Sequence, residues 1–282
     1  MPVSYHFLEY LLFPPNWINR SKLKQAVQHR TILITGASFG IGEATTQFLA
    51  TYDVHLVLVA RTASKLMALK ESLSQHKATI SIYPTDLTQT AAVERLIETI
   101  HTLPNGLDFI ISNAGHSIRR PIRQSLERFH DFERTMGINY FAPVRLLLGL
   151  LPLLQKRQGK IINVSALNVL LLPAPHWAAY QASKTAFDQW FRSVALEIKA
   201  TGISSSSLYL PLVRTRMIAP TEAYQKAPAM SPQQVALIIV KHLYQNKRTW
   251  MPWWGFFARL GSFLFRGLWE WSVPYFLKKD SF

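Results

Sequence analysis

The sequence predicts an α/β protein: one doubly wound parallel sheet in a single domain, with aromatic-rich amphipathic extensions at its ends. Three observations lead there. Short apolar runs alternate with longer helical patterns across residues 31–251. Several of those runs are continuous rather than alternating, as strands covered on both faces require. A glycine-rich turn joins the first run to the first helix.

Residues 1–30 form an apolar and basic leader. Tyr5, Phe7, Leu8, Tyr10, Leu11, Leu12 and Phe13 open it, and Pro14 and Pro15 halt any helix there. Arg20, Lys22, Lys24 and Arg30 follow. The expected strands of the 31–251 domain are Thr31–Thr35, His55–Ala60, Thr79–Tyr83, Asp108–Ser112, Lys160–Ser165, Ile203–Leu210 and, weakly, Arg248–Met251. Helical patterns fill 40–52, 63–76, 89–103, 125–157, 177–201 and 231–245. The leucine run Leu146–Leu154 reads as core helix. Residues 252–282 are different. From Trp250 to Phe276 there are eleven aromatics, five of them tryptophans, and Arg259, Ser262, Arg266 and Glu270 recur at helical spacing. That pattern is an amphipathic helix with an aromatic-heavy face.

Composition narrows the chemistry. The chain has 282 residues, 49% of them hydrophobic, which excludes a disordered protein. It has no cysteine, which excludes disulfides, thiolate metal sites and a catalytic thiol. A net charge of +15 calls for an anionic partner. The expectation is a phosphorylated small molecule and an anionic lipid surface, with no nucleic acid and no metal. Neither a signal peptide nor an apolar run of the ~20 residues needed to span a bilayer is expected. The place expected is therefore the cytoplasm, peripheral to a membrane.

Thr35-Gly36-Ala37-Ser38-Phe39-Gly40-Ile41-Gly42 stands between a strand and a helix. Its glycines let the backbone turn sharply toward a diphosphate, and the helix N-terminus offers free N–H groups. The second strand ends at Ala60-Arg61. An NAD site would carry a carboxylate there, whereas a cation pairs with a 2′-phosphate, so the residues favour NADP. Tyr180-Gln181-Ala182-Ser183-Lys184 places a phenol and an ammonium four apart, on one helix face. A nearby ammonium is expected to lower the phenol pKa, readying it for proton exchange with a carbonyl oxygen.

With Asp86-Leu87 after strand three, Ser112-Asn113-Ala114-Gly115 after strand four and Asn139 in a long helix, these motifs fall in a known order. Over nearly all of 31–250 the chain resembles the short-chain dehydrogenases/reductases, which have a Rossmann fold. The resemblance implies that Gly36, Ser38, Gly40, Ile41 and Gly42 cradle the cofactor diphosphate. Arg61 and Asp86 would meet its adenosine half, and Asn113, Ala114 and Gly115 would line it. Tyr180 would be the general acid. Lys184 would hold the nicotinamide ribose, and Asn139 would anchor a water in the proton relay. Within the family, His116–Arg120, Phe129–Met136, Asn139–Phe141 and Pro211–Thr221 look like the reductase domain of bacterial wax-ester-type fatty acyl-CoA reductases. That implies NADPH-dependent reduction of a fatty aldehyde or acyl-CoA, and a homo-oligomer. Other lipid-like ketones, or a weakly catalytic cofactor-binding protein, are the rival readings.

One position departs from the family. Strand five is expected to end Ser-Ser, the second serine meeting the substrate oxygen. Here Ser165 is followed by Ala166, and the loop to Tyr180 is one residue longer than usual. Either the insertion moves Ser165 into the role or the hydroxyl is missing. The loop Val169–Trp177 either walls an apolar substrate or packs under a helix. Arg119 and Arg120 either grip a phosphate or pair with Glu127, Asp131 or Glu133.

Overall fold

A computed structural model of the chain describes residues 7–218, 224 and 227–277. Tyr5 of the leader and Ala219 to Thr221 of the last motif lie outside the described residues. Seven strands form one parallel sheet: β1 (Thr31–Thr35), β2 (His55–Ala60), β3 (Thr79–Pro84), β4 (Phe109–Ser112), β5 (Lys160–Ala166), β6 (Ser204–Leu210) and β7 (Thr249–Trp250). Their order across the sheet is β3-β2-β1-β4-β5-β6-β7. Each expected strand is present, with ends moved by at most a residue or two. The order reverses between β1 and β4, and the crevice above that switch point is where such sheets bind ligands.

Helices cover both faces. One face carries α1 (Phe7–Leu12), α2 (Arg20–Val27), α3 (Gly40–Leu49), α4 (Ala63–Ser72) and α9 (Pro232–Tyr244). The other carries α5 (Thr90–His101), α6 (Phe129–Met136), α7 (Ala142–Arg157) and α8 (Ala178–Ala200). Alternation in β1 divides its side chains between the two layers. Ile32 and Ile34 pack with Leu49 and Ile239 on one side, and Leu33 packs with Ile100 and Leu150 on the other. Local signals fix the helix ends. Ser231 and Gln234 close a reciprocal capping box at α9, with Pro232 in the first turn. α7 stops where Gln158 turns left-handed at φ 50°.

The long pattern expected over 125–157 divides in two. Between α6 and α7, Gly137–Phe141 makes a wide π turn in which the Ala142 N–H reaches back to the Gly137 carbonyl. Pro143 is the cause: it has no N–H to give the Asn139 carbonyl, so the regular ladder breaks there. By length and composition Phe129–Arg157 is apolar enough to cross a membrane. Its Leu146, Leu147, Leu150 and Leu154 are nevertheless buried against the sheet, so the leucine run is core helix.

The leader is packed into the same core. Phe13, Leu23 and Val27 are buried among residues of α3 and α9. Glu9, only 2% exposed, binds the Arg214 guanidinium and accepts the Ala229 N–H at 3.0 Å. α1 thereby braces the chain that follows β6. Leu23→Ala should cost about 3 kcal/mol in a urea unfolding curve, as for a filled core site. A loss under about 0.5 kcal/mol, the value for a surface site, would contradict this packing. After β7 the chain forms α10 (Gly255–Leu264) and α11 (Arg266–Leu277), which lie against the domain with most of their surface open.

Candidate active site

A cleft of about 730 Å³ opens over the C-terminal ends of β1, β4, β5 and β6. Its first wall is the glycine-rich turn. Gly36 and Gly40 adopt φ values of 66° and 58°, which L side chains rarely take. A Cβ on Gly42 would stand 2.2 Å from the Gly36 carbonyl oxygen, so helix and turn touch backbone to backbone. Gly36, Ser38, Gly40 and Ile41 border the cleft, and Gly42 holds the turn from behind. Thr35 ties this turn to the next. Its hydroxyl accepts the N–H groups of Asn113 and Ala114 at 2.9 and 3.0 Å. The Asn113 side chain donates back to the Thr35 carbonyl at 3.0 Å.

Arg61 borders the cleft beside Ala60, with no carboxylate at the strand end. The Phe39 ring faces two more cations, Arg216 at 4.0 Å and Lys65 at 6.0 Å from its centroid. Burial, then the Arg134 and Arg61 charges, holds the His116 imidazole below its usual pKa against the opposing pull of Asp131. This end of the cleft suits an anion. Asp86 stands just outside it. Its carboxylate accepts the Thr88 N–H and hydroxyl at 3.0 and 2.7 Å, while Thr85, Leu87 and Thr88 form the wall.

At the other end, α8 brings Tyr180 and Lys184 into the same cleft. Lys184 donates to the Val164 carbonyl at 3.4 Å, and burial brings its ammonium down to about 8. Burial, and then Tyr224, pushes the Tyr180 phenol up to about 12. The four-residue spacing holds, but the phenol moves opposite to the expected lowering: burial is the largest influence on it, and Lys184 is not among the influences. Trp177 lies edge-on to Tyr180 at 5.7 Å and stacked on Tyr224 at 5.8 Å. Asn139 is fully buried beneath. It donates to the His116 carbonyl at 2.8 Å and to the Ser183 hydroxyl at 2.9 Å, and accepts the His116 N–H at 2.9 Å. A Cβ on Gly115 would lie 3.0 Å from the Asn139 side-chain oxygen and 3.3 Å from the Lys184 nitrogen. Gly115, Asn139 and Lys184 therefore share one tight corner.

Ser165 and Ala166 both border the cleft from adjacent positions of β5, opposite Tyr209 and Leu210 of β6. Alternation turns their side chains to opposite sheet faces. Ile161, two steps of alternation before Ser165, packs with Phe187 and Phe191 of α8. Of the following loop, Ala174 and Trp177 border the cleft, whereas Val169 to Leu172 lie half-buried outside its lining. Gln181 pins the loop by donating to the Asn168 carbonyl at 2.8 Å and accepting the Ala174 N–H at 2.9 Å. Arg120 is taken by Asp131 at 3.0 Å, and Arg119 lies 3.1 Å from His176.

The family model for short chain dehydrogenases matches residues 30–226. The chain belongs to the short-chain dehydrogenase family. This short-chain dehydrogenase is 44% identical over 218 residues to a fatty acyl-CoA reductase of Acinetobacter baylyi, covering 77% of this chain and 74% of that one. It is 41% identical over 225 residues to a fatty acyl-CoA reductase of Mycobacterium tuberculosis, covering 79% and 76%. In fold it is similar to L-sorbose reductase from Gluconobacter frateurii, solved with NADPH and L-sorbose. That likeness has a TM-score of 0.71 at 22% identity, over 79% of this chain and 94% of that one.

Residues that the sequence reading passed over also build the cleft of this short-chain dehydrogenase. Thr35, Ser183 and Arg216 stand inside the quoted motifs, so position alone could have raised them. Trp254 comes from the chain after β7, and no local spacing announces that it arrives here.

Proposed function

We propose that the protein is an NADP-dependent reductase of an apolar carbonyl, a fatty aldehyde or fatty acyl-CoA, working at the cytoplasmic side of a membrane carrying anionic lipid. The convergence of Tyr180 and Lys184 with the glycine turn and Arg61 in one cleft carries this reading. The residues fit the cofactor. Gly36, Ser38, Gly40 and Ile41 leave room for a diphosphate at the start of α3, and Arg61 offers a charge-assisted partner to a 2′-phosphate. Asn113, Ala114 and Gly115 would line the middle of the cofactor, and Lys184 would hold its nicotinamide ribose. The chemistry that NADPH would supply there is a hydride for the carbonyl carbon. Tyr180, protonated across the ordinary assay range, gives its proton to the carbonyl oxygen, so that the aldehyde leaves as an alcohol.

Asn139 serves behind them. Its side-chain amide is engaged by His116 and Ser183, so its relay water falls to the main-chain carbonyl that Pro143 cannot bond. The relatives named as fatty acyl-CoA reductases support the substrate class. So do Trp177, Tyr224, Met217 and Trp254 along the wall. Phe141 and Leu148 stand exposed near and on α7, and suit a homo-oligomer contact there. The test is a panel of aldehydes and acyl-CoAs of rising chain length, followed by NADPH oxidation. kcat/KM should climb with chain length, and a flat or null profile rejects the reading.

Ser165 takes the substrate-oxygen role in this reading, because alternation puts it on the sheet face that α8 covers. Ser165→Ala should then lower kcat/KM about a hundredfold, the usual loss for one oxyanion donor. Ala166→Ser should change little. A rise on Ala166→Ser with an indifferent Ser165→Ala would instead mark position 166 as a vacant donor site and the natural enzyme as a weak one.

A further inference from the structure

The geometry points to one lipid-docking platform, built by α10 and α11 together with the leader and tied to the wall of the cleft, along which the substrate passes from a bilayer to Tyr180. This inference rests on the reading of the cleft as a reductase site for an apolar carbonyl.

The surface is unusual for its exposed aromatics. On α10, Phe256, Phe257, Leu260, Phe263 and Leu264 are all exposed. Helical spacing gathers them within about a third of the circumference. On α11, Leu268, Trp271, Tyr275 and Phe276 are exposed on one side, while Arg266 and Glu270 pair at 2.9 Å on the other. Phe7 and Trp17 of the leader are 83% and 84% exposed. A contiguous apolar surface of this kind marks an interaction site.

The pieces are fastened to one another and to the cleft. The Trp253 indole donates to the Leu11 carbonyl at 3.1 Å, and Phe13 and Trp254 meet at 6.5 Å between ring centroids. Trp254 also borders the cleft. The Trp269 indole donates to the Pro173 carbonyl at 3.1 Å, in the loop that supplies Ala174 and Trp177 to the cleft wall. The exposed aromatic segments are thus tied to the cleft wall at two points, through Trp254 and through the Pro173 loop.

Charge decides the occupant. Arg259 stands at the edge of the aromatic face of α10, and Arg20, Lys22 and Lys24 stand exposed on α2. Lys278 and Lys279 follow α11 in the sequence. An apolar face with Arg259 at its edge, on a chain of net charge +15, complements anionic headgroups. Two such faces brought together would set their Arg259 side chains against each other and repel. With 10 and 12 residues, α10 and α11 are shorter than the ~20 needed to span, so they lie in the interface, with tryptophan at headgroup depth.

The test uses the full chain and the triple variant Phe256→Ser/Phe263→Ser/Trp271→Ser, whose positions are exposed and outside the cleft. Wild type should cosediment with phosphatidylcholine vesicles containing phosphatidylserine, less with phosphatidylcholine alone, and be released by salt. The variant should partition about tenfold less. It should reduce a water-soluble short aldehyde at the wild-type rate and lose about tenfold in kcat/KM on a long-chain aldehyde presented in vesicles. Wild type that ignores anionic vesicles at low salt overturns the platform. So does a variant that binds vesicles normally but dissociates from dimer to monomer, which would make the face a subunit contact. If neither protein reduces any aldehyde, the reductase reading and the substrate route fall, while the vesicle partition still decides whether the platform docks.

Discussion

Replacing Tyr180 with Phe should lower turnover by about a thousandfold while NADPH affinity stays within twofold, since a positioned general acid contributes about 10² to 10⁴. The substitution removes the hydroxyl and keeps the ring that packs on Trp177, so the loss isolates proton donation. It corresponds to about 4 kcal/mol of transition-state stabilisation. A spectroscopic companion follows from the raised phenol. In the protein without cofactor, subtracting the alkaline titration of Tyr180→Phe from that of wild type should reveal no phenolate below pH 10.0, the ordinary value. Residual turnover near the wild-type rate would remove Tyr180 from the acid role. A phenolate appearing near neutrality would show that Lys184 governs the phenol after all.

Reversing the charge at Arg61 should reverse the choice of cofactor. Wild type should favour NADPH over NADH by about a hundredfold, which is about 3 kcal/mol for a charge-assisted phosphate contact. Arg61→Asp should bring a carboxylate to the ribose hydroxyls, repel the 2′-phosphate and favour NADH. Ratios of kcat/KM for the two cofactors read the effect directly. Equal use of both by wild type would reject the role of Arg61. A preference for NADPH that survives the substitution would move the phosphate contact to Arg216 or Lys65, the cations around the Phe39 ring.

The sheet was legible because buried parallel strands are short and apolar, and each is punctuated by a turn with its own chemistry. The motif residues share a cleft for the same reason: each sits at a strand end or on the helix that follows, and the topology places those ends side by side. Three things were hidden. The π turn at Asn139 depends on a missing N–H at Pro143, which a helical periodicity does not register. The burial that raises Tyr180 is not announced by its spacing to Lys184, and Tyr224, which raises it further, arrives from the chain after β6. The fate of Arg120 turned on which acid came within reach, and Asp131 was one of three candidates equal in the sequence. That carboxylate also gathers Arg128 at 3.1 Å and Arg134 at 3.3 Å. Burial would raise it, but the Arg128 and Arg120 guanidinium groups hold it below the usual carboxylate range.

The Glu9 brace has a consequence for how the chain is made. Its carboxylate meets Arg214 and Ala229 across separations of 205 and 220 residues. During synthesis α1 leaves the ribosome long before either partner exists. Glu9 then stays hydrated, and the apolar residues beside it stay uncovered, until β6 and the segment after it have emerged. β1, an interior strand of the sheet, likewise waits for β4 before it is enclosed. Contacts of such long range make for slow folding and a prolonged aggregation-prone interval. Recombinant yield should therefore respond to translation speed, temperature and chaperone supply far more than the finished protein's stability would suggest.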